Sequence, residues 1–190
     1  MTIKKWTVLA MCVAGMLMSW STRAQKYAIS TNLVDCAFLG TMNLDASASV
    51  ARHFTVTAGI KYNPWEFHTT DPDMTVRNQM TSFSAGLRYW PWYVYSGWWV
   101  SMKGQYKEYS LTGIWRPALE EAKAVGCIVS AGYSLMIGSH FNVEFGIGGW
   151  AGRLTEYTLY CCPNCMDIRD SGPRGFVRPD DIYLSVSYVF

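Results

Sequence analysis

The sequence predicts an all-β protein: an eight-stranded, antiparallel, up-and-down β-barrel of the transmembrane kind. Three observations carry that expectation. Apolar and polar residues alternate in eight separate segments, the period of two that marks a strand with unlike faces. No stretch beyond residue 24 approaches the roughly 20 apolar residues of a spanning helix. The chain closes on Tyr188-Val189-Phe190, an aromatic end on its cleanest alternating run.

The first element is one to set aside. Lys4 and Lys5 form a positive start, residues 6–20 are mostly apolar, and Ser21, Thr22 and Ala24 supply small residues for a peptidase. Residues 1–24 therefore read as a cleaved signal peptide, and residues 25–190 as one outer-membrane barrel domain. The leader carries Lys4, Lys5 and Arg23 and no acid, so its loss takes the formal charge from +2 to −1. The mature chain has no basic stripe, which argues against a nucleic-acid partner. Export places it in an oxidising compartment, where cysteines can pair.

The strands follow in order. Tyr27, Ile29, Thr31 and Leu33 share one face of the first; Leu44, Ala46, Ala48 and Val50 share one of the second. Phe54, Val56, Ala58 and Ile60 mark the third, and Phe83, Ala85, Leu87 and Tyr89 the fourth. The fifth shows Trp98, Val100, Met102 and Tyr106, and the sixth Val125, Cys127, Val129, Ala131 and Tyr133. Phe141, Val143, Phe145 and Ile147 define the seventh, and Ile182, Leu184, Val186, Tyr188 and Phe190 the eighth. The opposite faces are mainly Ser, Gly, Thr and Asn, small enough to fill a narrow eight-stranded lumen. A soluble barrel would instead carry dense Lys and Glu outside. The polar face is thus expected inside and the apolar face toward lipid.

The connections should alternate between short periplasmic turns and longer outer loops. Arg52-His53 and Gly138-Ser139-His140 are short. Residues 68–78, 109–120 and 157–179 are long and polar, and read as outer loops, the last being the longest. The link at residues 38–41 is expected to be a short outer one.

Few residues offer chemistry. Asp45, Lys61, Arg88, Lys103, Lys107 and Glu144 fall on the polar faces, as a gated path or as a salt-bridged plug; the narrow lumen favours the plug. Cys161, Cys162 and Cys165 are candidates for a disulfide that staples the last outer loop. A zinc site would need further ligands, and no His or second C-x-x-C lies near in sequence, so no metal and no cofactor is expected. A hydrolase needs a nucleophile and a base in reach; His68, followed by Asp71 and Asp73, is the sole rim histidine, so no catalytic residue is assigned. Trp90, Trp92, Tyr93, Tyr95, Trp98 and Trp99 crowd one periplasmic link, as an interfacial girdle or as a docking face.

Several short motifs also resemble a known group. They are Thr31-Asn32-Leu33, Tyr62-Asn63-Pro64-Trp65 followed by Phe67, Arg88-Tyr89-Trp90, Gly132-Tyr133, the spacing of Cys162 and Cys165, and the aromatic ending. In this order they resemble an uncharacterised family of small Bacteroidetes outer-membrane β-barrels, a domain of unknown function. The Tyr-Asn-Pro-Trp run is the most specific part; Cys161 beside Cys162 departs from the pattern. The resemblance implies an outer-membrane barrel, some relatives of which belong to surface-assembly or adhesion loci, and it transfers no catalytic residue. The function expected is therefore non-enzymatic: a cell-surface structural or binding component acting through its outer loops. The alternatives are an accessory subunit of a larger outer-membrane machine for adhesion, assembly or uptake, and a rim-located enzyme acting on lipid. Expected partners are outer-membrane lipid and a protein at the surface or in the membrane plane.

Overall fold

A strand with one apolar and one polar face leaves backbone N–H and C=O groups unpaired along both edges, so the strands pair until the sheet closes on itself. The computed structural model describes residues 26–37, 40–68, 75–112, 118–161 and 167–190. The leader expected at residues 1–24, and Cys162 and Cys165, lie outside these described residues. The strands are β1 (Tyr27–Asn32), β2 (Met42–Ala51), β3 (Phe54–His68), β4 (Thr75–Tyr89) and β5 (Gly97–Thr112). They continue with β6 (Leu119–Ile137), β7 (Phe141–Tyr160), the short β8 (Ile168–Ser171) and β9 (Arg174–Val189). One helical turn, α1 (Leu33–Ala37), follows β1. Each strand pairs antiparallel with the next through β7, β7 pairs with β9, and β9 returns to β1. The result is a closed, eight-stranded, up-and-down antiparallel barrel, with β8 paired to β7 above β9.

The barrel is inverted relative to a water-soluble one. Leu87, Val100, Met102, Val129, Phe145 and Leu184 are exposed on its outside. Thr55, Ser82, Ser101, Lys103, Ser130, Glu144 and Ser187 are buried inside. The polar-in, apolar-out reading therefore matches the geometry strand by strand.

Several boundaries differ from the sequence reading. β6 and β7 run for 19 and 20 residues, about 60 Å each at ~3.3 Å per residue, against the 9–11 residues that cross a bilayer. Most of the described residues of the expected loops are strand instead: β3 continues to His68, β5 to Thr112, and β7 to Tyr160, with β8 and the start of β9 following. The apolar signal disappears there for a physical reason. Above the apolar belt the outward positions become Glu108, Ser110, Lys123 and Glu156, while the inward ones become Tyr109, Ala122, Ala124 and Tyr157. The alternation persists with its sense reversed, and charge on the outside reads as loop. At the other extreme, β1 is shorter than expected and ends in α1, which the sequence reading missed.

Candidate functional site

The lumen is closed in three layers. At the end that carries Lys26 and Phe190, Trp90, Tyr95, Trp99, Tyr183, Ala28 and Val189 form one buried cluster. Tyr95 sits at a positive φ of 65°, a strained conformation for a large side chain, and is 2% exposed. Its hydroxyl donates to the Lys26 carbonyl at 3.2 Å and accepts from Ser47 Oγ at 3.4 Å. Its carbonyl accepts from Ser134 Oγ at 3.2 Å and Asn142 Nδ2 at 2.5 Å. The link between β4 and β5 thus folds back as a stopper. A side chain at Gly132 would collide with the Trp99 ring, so that glycine makes the space for it. The crowded aromatics therefore divide: Trp90, Tyr95 and Trp99 point into the barrel, whereas Trp92, Tyr93 and Trp98 remain outside.

The middle layer is charged. Arg88 meets Glu144 at 2.7 Å, beneath the Trp99 ring, which lies 4.2 Å from the guanidinium carbon. Lys103 meets Asp45 at 2.9 Å. Lys61 instead reaches up to Asp35 of α1 at 2.9 Å, and Lys107 Nζ lies 5.2 Å from the centre of the Trp150 ring. The six inward charges thus divide between two cross-lumen pairs and two contacts nearer the outer end.

The outer layer is apolar again. Tyr109, Ile128, Trp150, Leu154 and Tyr157 are buried together, with Phe176 4.4 Å from Trp150. Tyr109 donates to Glu120 at 2.9 Å, and Arg178 reaches the Tyr109 hydroxyl at 3.4 Å and Glu120 at 3.6 Å. Burial, with the Glu120 carboxylate next, pushes the Tyr109 phenol up to about 12.

Above this seal the wall is uneven, and the unevenness forms the rim site. β1 stops at Asn32, β2 starts at Met42 opposite Tyr62, and the strands on either side continue upward. Side chains finish the ladders there. Asn32 Nδ2 donates to the Ile182 carbonyl at 2.9 Å, and its Oδ1 accepts from Leu184 N and Val34 N, each at 3.2 Å. Asn43 Nδ2 donates to the Asn32 carbonyl at 2.9 Å. On the far side, Asn63 donates to Thr41 Oγ1 at 2.8 Å and accepts from Trp65 N at 3.0 Å, and the Trp65 indole donates to the Gly40 carbonyl at 3.1 Å. Pro64 has no N–H and stands where β3 has just lost β2 as a neighbour, a position that tolerates proline. Tyr62 stays on the outer face, 48% exposed. The sequence reading named the Thr31-Asn32-Leu33 and Tyr-Asn-Pro-Trp runs as separate motifs, but not the rim they share. An Asn at the last inward position of a strand was the available signal.

The remaining candidates are dispersed. Cys36, Cys127 and Cys161 are exposed thiols with no disulfide among the described residues. Cys36 Sγ sits in the rim network, 3.4 Å from Asn43 Nδ2. His68 ends β3. No cluster of metal-ligating side chains occurs among the described residues.

No curated protein and no solved structure matches this chain. A family match does exist, and it runs from residue 8 to residue 190. The chain, with its inverted barrel, its double seal and its asparagine-finished rim, belongs to the family described as protein of unknown function (DUF3575).

Proposed function

We propose that this protein is a non-enzymatic outer-membrane β-barrel of a Bacteroidetes-type cell surface, exported with a cleaved leader and binding a partner through its outer rim. The observation that carries the reading is the belt of exposed apolar residues around a polar lumen. Water penalises that arrangement at about 25 cal/mol per Å² of apolar surface, and hydrocarbon does not. Tyr62, Tyr89, Trp98, Tyr106 and Tyr188 lie toward the ends of the outward belt, as interfacial aromatics do. The doubly sealed lumen disfavours transport through the barrel. What projects beyond the belt is the wall of β3 to β9, so a partner is met there. The test is outer-membrane fractionation, with an unheated and a boiled sample compared on a denaturing gel. A heat-dependent mobility shift in the outer-membrane fraction is expected; recovery as a soluble monomer without detergent overturns the reading.

A further inference from the structure

We propose that the rim binds its partner by strand addition, onto residues 174–178 of β9, and that the partner is an extended acidic polypeptide segment. This rests on the surface-binding reading above and specifies its mode.

The argument begins with an edge. β9 pairs with β7 along its upper half, but its pairing with β1 begins only at Ser185. Among the described residues no strand pairs with the other side of residues 174–178. Such an edge offers a row of backbone donors and acceptors, and the group that matches it is another extended backbone. Proteins usually blunt such edges, and this one blunts the opposite side of the same gap with Pro64 and the Asn63 side chain. Below the window, Asn32 satisfies Ile182 and Leu184. Pro173 and Pro179 bracket the window; the five residues between them include no proline, and the two charged ones are held in partly exposed pairs, Arg174 with Asp170 and Arg178 with Glu120. Val177 within it is 83% exposed.

The gap defines the occupant further. β1 and β2 fill two strand positions lower down, so at the rim β9 and β3 stand about three strand spacings, roughly 14 Å, apart. α1 occupies the lower part of this gap, against β9 and with Asp35 on Lys61, and the added strand is placed above it. Arg174 and Arg178 share the inward face of the window with Phe176 between them, and Val177 faces outward. Arg174 is held by Asp170 at 3.1 Å in a half-exposed pair, which exchanges readily for another carboxylate. The complement is a strand with acid, apolar and acid residues at alternate positions. A second copy fits poorly. In one membrane all copies stand the same way up, so β9 cannot run antiparallel to its own equivalent, and the β3 edge is closed by Pro64.

The experiment uses the full chain in detergent micelles and the blocked heptapeptide Thr-Glu-Thr-Leu-Thr-Glu-Thr. In a strand the N–H groups of alternate residues point to opposite sides. Two isomers are therefore compared, one N-methylated on both Glu residues and the other on both inner Thr residues. The parent peptide is expected to bind more tightly than about 1 mM. One isomer should lose at least tenfold and the other little, with new amide protection confined to residues 174–178. Absence of binding, or equal affinity of the two isomers, overturns strand addition. Failure of the outer-membrane fractionation sinks the surface-binding reading instead, and peptide binding in micelles is measured independently of it.

Discussion

Arg88 is buried against Glu144 and under Trp99, with 8% of its surface exposed. Removing one partner of such a pair leaves the other ionised in a low-dielectric lumen, at a cost of about 3–5 kcal/mol, whereas replacing both restores much of it. Arg88→Met should therefore lower the urea midpoint of the micelle-bound protein strongly, and Arg88→Met with Glu144→Met should recover most of the loss. Asn32 makes a different kind of contribution, because one amide satisfies three backbone groups. Asn32→Ala should cost about 2 kcal/mol locally, read as faster amide exchange at Val34 and Leu184 with the lower barrel unchanged. Tyr109 supplies a pH dependence. Its phenol is raised from 10.0 to about 12, so the neutral form is favoured in the folded protein. Its stabilisation is complete below pH 10 and is lost as pH rises through about 12. Absorbance titration should show a late phenolate step that Tyr109→Phe removes. The inward position of Arg88 and Asn32 follows from strand parity in the sequence, whereas Tyr109 lies in a segment whose composition reads as loop, and their partners on other strands lie 11 to 152 residues away.

At the scale of elements, the two seals act in series. The link between β4 and β5 closes one end through Tyr95, and the cluster around Trp150 closes the other. Tyr95→Ala or Trp150→Ala alone should leave planar-bilayer conductance near background, because the second seal remains. The double variant should give stable openings, with the heat-dependent gel shift as its control for assembly. If either single variant already conducts, the seals are not independent. The hairpin of β7 with β8 and β9 is likewise not the loop that its composition predicts, since β7 pairs across it nearly to its tip. Replacing residues 161–167 by a short Gly-Ser turn should therefore preserve the barrel and the strand-addition edge together. Replacing residues 161–175 should preserve the barrel but remove β8 and part of that edge, and with it partner binding. Export assays and binding of the heptapeptide to both variants decide this.

For the whole molecule, the closed eight-stranded ring, its inside-out polarity and its up-and-down order were legible because the side-chain period of a strand is two. One buried polar face and one apolar face leave little freedom in register, since a one-residue slip turns every side chain over. The sequence by itself therefore determined the strands through the belt, which residues face inward, and the short turns at Arg52-His53 and Gly138-Ser139-His140. Tertiary structure alone decided which inward charges meet, where the lumen is sealed, and how far the strands rise past the belt. It also decided that Asn32 and the Tyr-Asn-Pro-Trp run lie on two sides of one gap. The reason is that parity fixes a direction for each side chain but no height, and height depends on strand tilt, bulges and the length of every neighbour. Lys61 shows the consequence: its face was fixed by its place in β3, but its pairing with Asp35 required a helical turn that no alternation announces.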